Sequence, residues 1–311
     1  MKTLLSVIVV LAALSAPASA AAGVSFGVDQ TFGSSNYRGT RAKASLDLTD
    51  SIYIEPSFST YRSDLSSGSF NTFGLRGGYE TGPFALGVEG GFQPKTNGYQ
   101  KTYAGGDVTF SLTPGGSAHG RKMAGPSSEG EQTFGSGLAG VDVGGAVMFT
   151  RHSDDLAASG STAAGRRHAA ASARARKLTI AQTDLSAFAG LRFLITEISA
   201  EVTKSVYDKN LDAASVREAQ ALSLSGFGAT VQGFPDTSVN FKLKWKSLPL
   251  VKPYLSYTRT KFKLSAEPSD AYEVGGTVGL QMLSVKAAYQ RYTQKGYADQ
   301  NFFSVGAGLN F

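Results

Sequence analysis

The 311-residue chain has no cysteine. That excludes disulfide staples, thiolate metal ligands and lipid attachment through a cysteine. It also lacks the long runs of Leu, Ile and Val that fill the core of a soluble protein of this length. Past the first twenty residues no apolar stretch approaches the roughly 20 residues of a membrane-spanning helix, so a helical membrane protein is excluded. No G-x-x-x-x-G-K-[ST] loop and no His-x-x-x-His pair occurs. The glycine-rich pieces at 87–91 and 135–145 sit inside strand-like patterns with no helix following. Their glycines fit strand curvature and close packing better than phosphate binding. No cofactor or metal is expected.

What the chain does contain is glycine (37), phenylalanine (19) and tyrosine (13), with the apolar residues spread thinly at every second position. Mean hydropathy is close to zero, at −0.10. The first twenty residues read as an export signal. Lys2 gives a positive start, Leu4–Leu14 an apolar core, Ser15-Ala16-Pro17 a break and Ala18-Ser19-Ala20 a small-x-small cleavage pattern. Cleavage after Ala20 is expected, leaving 21–311 as one domain. At the other end, Phe303, Val305, Ala307, Leu309 and Phe311 share one parity and Ser304, Gly306, Gly308 and Asn310 the other. That is a strand with one apolar and one small or polar face.

A last strand ending on an aromatic, carried here by Phe303, Val305, Leu309 and Phe311, resembles the C-terminal signal of bacterial outer-membrane β-barrel proteins. The resemblance implies a Gram-negative outer-membrane location. It also implies periplasmic chaperones and the barrel-assembly machinery as partners during biogenesis, and outer-membrane lipid and lipopolysaccharide as surroundings. Turns are expected to be short on the periplasmic side and longer outside.

The interior of the sequence fits an all-β closed antiparallel transmembrane barrel. Thirteen further segments alternate, from Val24-Phe26-Val28 to Val285-Ala287-Tyr289, giving fourteen strands; twelve and sixteen stay open. Residues 217–231 read as a fifteenth, which breaks the even count, so either they form an excursion or they have an unseen partner. Tight turns are expected at 50–51, 81–83, 192–193, 247–249 and 283–284. The glycine- and proline-rich stretch 113–131 is expected to be a loop on the periplasmic side, long for that side. The alternative architecture is a soluble β-sandwich with its polar face in water.

Alternation also sorts the charges. A basic group facing lipid near the midplane costs roughly 2–4 kcal/mol, so ionic strand residues belong inside. The acidic pore-lining candidates are Glu55, Glu89, Asp107, Asp142, Asp184, Glu197, Glu201 and Glu273. The basic ones are Lys242, Lys244, Lys246, Lys252 and Lys286. Most acids come early and the lysines late, which predicts an interior with one acidic and one basic side. Such a transverse field resembles general porins. Mutual pairing that plugs a narrow interior is the alternative. The abundant Gly, Ser and Thr on the inner parity favour open space.

The loop 151–177 carries six Lys/Arg and two Asp. Its +4 is nearly all of the +5 left after Ala20, from 29 basic and 24 acidic residues. The basic balance is therefore local and does not indicate nucleic-acid binding. The loop is a solvated insertion or a contact for acidic partners such as lipopolysaccharide phosphates. Some outer-membrane barrels are enzymes with a rim histidine beside a carboxylate, and His152 with Asp154 and Asp155 is the one candidate. A solvated loop histidine is the simpler reading, and no enzyme is expected. The leading function is a passive porin-like channel for small polar solutes, against a non-conducting surface barrel for adhesion or envelope integrity.

Overall fold

The computed structural model describes residues 23–64, 66–96, 98–113, 139–156, 176–208, 221–224, 227–230, 234–245, 251–263, 267–280 and 282–311. In chain order the first nine strands are β1 (Val24–Gly33), β2 (Tyr37–Asp47), β3 (Ile52–Ser63), β4 (Ser66–Thr81), β5 (Phe84–Thr96), β6 (Tyr99–Ser111), β7 (Ala139–Leu156), β8 (Arg176–Phe193) and β9 (Thr196–Tyr207). There follow β10 (Ala221–Leu224), β11 (Phe227–Thr230), β12 (Pro235–Trp245), β13 (Val251–Phe262), β14 (Ser269–Leu280), β15 (Leu283–Gln294) and β16 (Gln300–Asn310). Fourteen of them form one antiparallel meander, and β1 pairs with β16 to close it into a barrel. Fourteen is the expected number. Strands β10 and β11 pair only with each other, and β9 pairs directly with β12. The 217–231 segment is thus an excursion from the wall, and its remaining residues lie outside the described ones.

Local chemistry sets the connections. Ser35 and Asn36, between β1 and β2, both have positive φ (55° and 53°), the twist that matches a two-stranded ribbon. Gly82 and Gly98 supply positive φ at two other hairpins. Two expected turns move. Arg192 and Phe193 stay in β8, Phe193 pairs with Thr196, and Leu194-Ile195 make the turn. Likewise Leu283 and Ser284 belong to β15, paired with Leu280 and Gly279. In both places the two-residue alternation runs on to the hairpin, so composition marks the turn one or two residues off. The basic loop is also shorter than 151–177. Strand β7 continues to Leu156, which pairs with Arg176 at the start of β8; residues 157–175 lie outside the described ones, as do 114–138. The even strand count puts the connection holding 113–131 at the same end as both termini, where the sequence reading had it.

The wall has two unlike faces. The outward parity exposes Val88, Leu75, Phe149 and Phe193, each 56–67 % exposed. Leaving such a side chain in water forgoes roughly 1.5–3 kcal/mol. A few dozen would exceed the 5–15 kcal/mol that holds a folded domain together, so this face requires an apolar surround. Outward rings form cross-strand ladders at both ends of the apolar band. Phe58 meets Phe73 at 5.1 Å, tilted, and Phe73 stacks on Phe92 at 5.3 Å across β3–β5 at the end of the band away from the termini. Phe84 and Phe110 meet at 4.8 Å at the terminal end. From Phe92 to Phe84 the strand runs about 26 Å along its own axis, roughly 20 Å of height at the usual strand tilt, the scale of a band of apolar wall flanked by aromatic girdles.

Candidate functional site

The inward parity carries the chemistry. On β4 the Arg76 guanidinium reaches across β5 to Asp107 on β6, Nη2 to Oδ2 2.6 Å, and Nη1 lies 3.6 Å from Glu89 Oε2. Its Nε donates to the Tyr53 hydroxyl at 3.4 Å. All these side chains are buried. Space for the guanidinium comes from Gly87, where a Cβ would overlap both Arg76 and Asp107; the Tyr53 ring lies on Gly78 in the same way. A second pair, Arg192 Nη2 to Asp142 Oδ2 at 3.4 Å, ties β8 to β7. Glu197 is buried on β9 and stands opposite Arg192 in register.

Nearer the far end of β6–β9 runs a hydrogen-bonded chain. Tyr99 and His152 Nδ1 are 2.8 Å apart, and His152 Nε2 is 3.0 Å from Gln182 Oε1. Because an amide oxygen only accepts, Nε2 carries the proton and the Tyr99 hydroxyl donates to Nδ1. Gln182 in turn donates to Asp184 Oδ1 at 2.8 Å, as does the Ser205 hydroxyl at 2.5 Å. His152 is therefore a buried wall residue with both nitrogens engaged, rather than a solvated loop histidine. The side chains of Asp154 and Asp155 lie outside the described residues.

Next round the wall, on β12–β15 beyond β9, is the basic sector. Lys242 Nζ sits 4.7 Å and Lys286 Nζ 5.6 Å from the Tyr254 ring centroid, and Tyr254 donates to Glu273 Oε1 at 2.5 Å. Lys244 is half-buried, while Lys252 is exposed at the start of β13. Lys246 lies outside the described residues. Glu55 and Glu201 are half-buried on the inner parity, Glu201 accepting from Thr203 at 3.3 Å.

This arrangement corrects two expectations. The early strands are not an unrelieved acidic side, because Arg76, Arg192 and Lys101 stand among their acids; Glu273 likewise stands among the lysines. Barrel closure also brings the inward Arg41 and Lys43 of β2 to the seam beside β16 and β1, extending the basic sector. Alternation against Ala42, Ala44 and Leu46 already puts Lys43 on the inner parity, and Arg41 would have followed had the strand been started at Tyr37. Second, inner glycines do not simply leave room: Gly87, Gly78 and Gly275 are covered by Arg76, Tyr53 and Tyr254 lying flat along the wall.

The sequence reading missed an inner ring of aromatics at the end away from the termini. Phe302 packs edge-on against Tyr37 (5.4 Å), Tyr37 on Tyr61 (6.1 Å), Tyr61 on Phe70 (5.2 Å) and Phe70 near Tyr99 (6.5 Å). His152 and Phe234 continue it to Tyr207, and on the other side of Phe302 the buried Phe262 and Tyr292 belong to the same cluster as Tyr37 and Phe302. The doublet Phe302-Phe303 was the available signal: in a strand, adjacent rings must point to opposite faces.

A closed fourteen-strand wall, ionic within and apolar without, settles the architecture. The fold is that of an outer-membrane β-barrel. Among solved structures, CdiB from Acinetobacter baumannii is similar at TM-score 0.51 and 8 % identity, over 93 % of this chain and 60 % of that one. The chain thus spans about 60 % of the length of that structure. Pseudomonas aeruginosa OccK3 (OpdO) aligns at TM-score 0.44 and 11 % identity over 93 % of this chain and 95 % of that one. The NanC porin aligns at TM-score 0.41 and 9 % identity over 91 % and 98 %. No family model matches the sequence, and no curated protein matches it.

Proposed function

We propose that the protein is a passive porin-like channel for small polar solutes in the outer membrane of a Gram-negative bacterium. One observation carries this reading. The inner parity is ionic and hydroxyl-rich on strand after strand, with its largest polar groups laid along the wall rather than across it. A barrel built only to display loops has no need of Lys242, Lys286 and Arg41 inside. The lysine-rich sector gives the passage a preference for anions, since a cation over Tyr254 is attracted to the ring yet keeps its charge. Export through residues 1–20, recognition of the last strand by the assembly machinery and transit on periplasmic chaperones belong to the same proposal.

Single-channel recording of the refolded chain in a planar bilayer tests it. Discrete steps with anion preference are expected. Lys242→Glu is expected to weaken or reverse that preference at 0.1 M salt, where the screening length is about 10 Å, and much less at 1 M, where it is about 3 Å. A silent membrane refutes the channel, and steps indifferent to Lys242→Glu refute the anion preference set by the lysine sector. The second reading, a non-conducting surface barrel, is favoured by the inner aromatic ring, whose Phe70, Tyr99, Phe234 and Phe302 are at most 4 % exposed.

A further inference from the structure

On the outer face, cations crowd the end of the wall away from the termini, and most are neutralised locally. Arg259 lies 3.6 Å from Asp270, Arg291 2.6 Å from Asp299, and Lys204 and Lys263 share Asp236 at 2.8 and 2.5 Å. Arg38 on β2 and Arg62 on β3 differ. They stand directly opposite each other in register, both exposed, and among the described residues no carboxylate pairs with either. Directly opposed residues have Cβ atoms about 4.5–5.5 Å apart, and like charges there repel. Among the described residues the nearest acid along β3, Asp64, accepts from Asn36 instead and makes no ion pair with either arginine.

The rows beneath the pair show what lies beside it. Reading up β2 and β3 on the outer parity, Leu46 pairs with Ile54, Ala42 with Phe58, Thr40 with Thr60 and Arg38 with Arg62. Phe32 of β1, opposite Arg38, is also exposed to the outside. The sequence of rows runs from hydrocarbon through hydroxyl to paired guanidinium, the order of a lipid from acyl chain to headgroup. We propose that Arg38 and Arg62 clamp the phosphate monoester of an outer-leaflet lipid. Two planar forks on one phosphate give charge-assisted hydrogen bonds that a lysine pair could not match, and the dianion converts the repulsion into attraction. The lipid, rather than phosphate from water, is the source, because the pair continues the lipid-facing rows and faces away from the interior. The proposal rests on the membrane reading but not on conduction.

The full chain, refolded into phosphatidylcholine vesicles, is examined by electron paramagnetic resonance. A trace of spin-labelled phosphatidic acid is used in one sample and spin-labelled phosphatidylcholine in the other. The protein-restricted fraction is expected to favour phosphatidic acid. The preference should fall about fivefold for each of Arg38→Gln and Arg62→Gln, whereas Arg259→Gln should leave most of it. A double variant with the parent's preference overturns the clamp. Loss of the preference on adding inorganic phosphate overturns the lipid as its source. In phosphatidylcholine alone the double variant should resist urea as well as the parent or better, the repulsion being gone; a marked loss there would show that the arginines hold the wall together and overturn the clamp. Co-flotation with the vesicles is scored separately. A chain that does not float refutes the membrane reading, whereas one that floats without preference refutes the clamp alone.

Discussion

Arg76 shows how a single residue organises the interior. It meets Asp107 and Glu89 and accepts no competitor, because Gly87 leaves only enough room for the guanidinium. Removing one partner of a buried charge cluster costs more than removing the cluster, since the survivors lose their counter-charge while staying out of water. Arg76→Met is therefore expected to destabilise the refolded barrel by about 3–5 kcal/mol in equilibrium urea unfolding. The triple variant Arg76→Met, Glu89→Gln, Asp107→Asn should recover most of that loss. If the single variant lost under about 1 kcal/mol, the magnitude of a surface pair, the cluster would be solvated and the interior far wetter than its burial indicates.

Among the elements, β16 holds both the closing seam and the proposed assembly signal. The Phe311 amide donates to Val24 O at 2.8 Å, so the last residue helps close the seam through its backbone, while its ring is 66 % exposed on the outer face. These two roles separate by mutation. Phe311→Ser keeps the backbone bond and removes a ring that packs against no interior residue. In-vitro stability should then move by no more than about 1 kcal/mol, while the amount of barrel assembled in cells, read by heat-modifiable mobility on gels, should fall several-fold. Equal loss in both measurements would make the ring a structural residue and not a signal. The strands themselves were legible because a wall between an apolar surround and a polar interior forces period-two alternation, and all fourteen carry it, including Val239-Phe241-Leu243 against Asn240-Lys242-Lys244. The ends of the strands were less so, since Leu194-Ile195 turn without glycine or asparagine. What alternation could not show is which inner charges meet. Arg76 finds Asp107 two strands away, and Arg41 comes near the late lysines only through closure between β1 and β16.

For the molecule as a whole the question is what the aromatic ring does to the passage. Reading apolar residues as lipid-facing hid it: Tyr37, Phe70, Tyr99 and Phe302 are aromatic yet inward. With Tyr61 between them, centroid spacings of 5.2 to 6.5 Å are those of mutually supporting rings, so the ring is a stiff feature and not a set of independent side chains. In the channel proposed above, an apolar constriction would limit flow by shedding water, whereas the lysine sector below it would act on charge. These two controls predict separable phenotypes. Phe70→Ala, alone or with Phe302→Ala, should raise single-channel conductance several-fold while leaving the anion preference close to the parent's. Lys242→Glu should change the preference while leaving the conductance at high salt nearly unaltered. Were Phe70→Ala to leave conductance unchanged in a protein that conducts, the narrowest level would have to lie elsewhere, at the Arg76 cluster, where Tyr53, Glu89 and Asp107 already crowd one side of the wall.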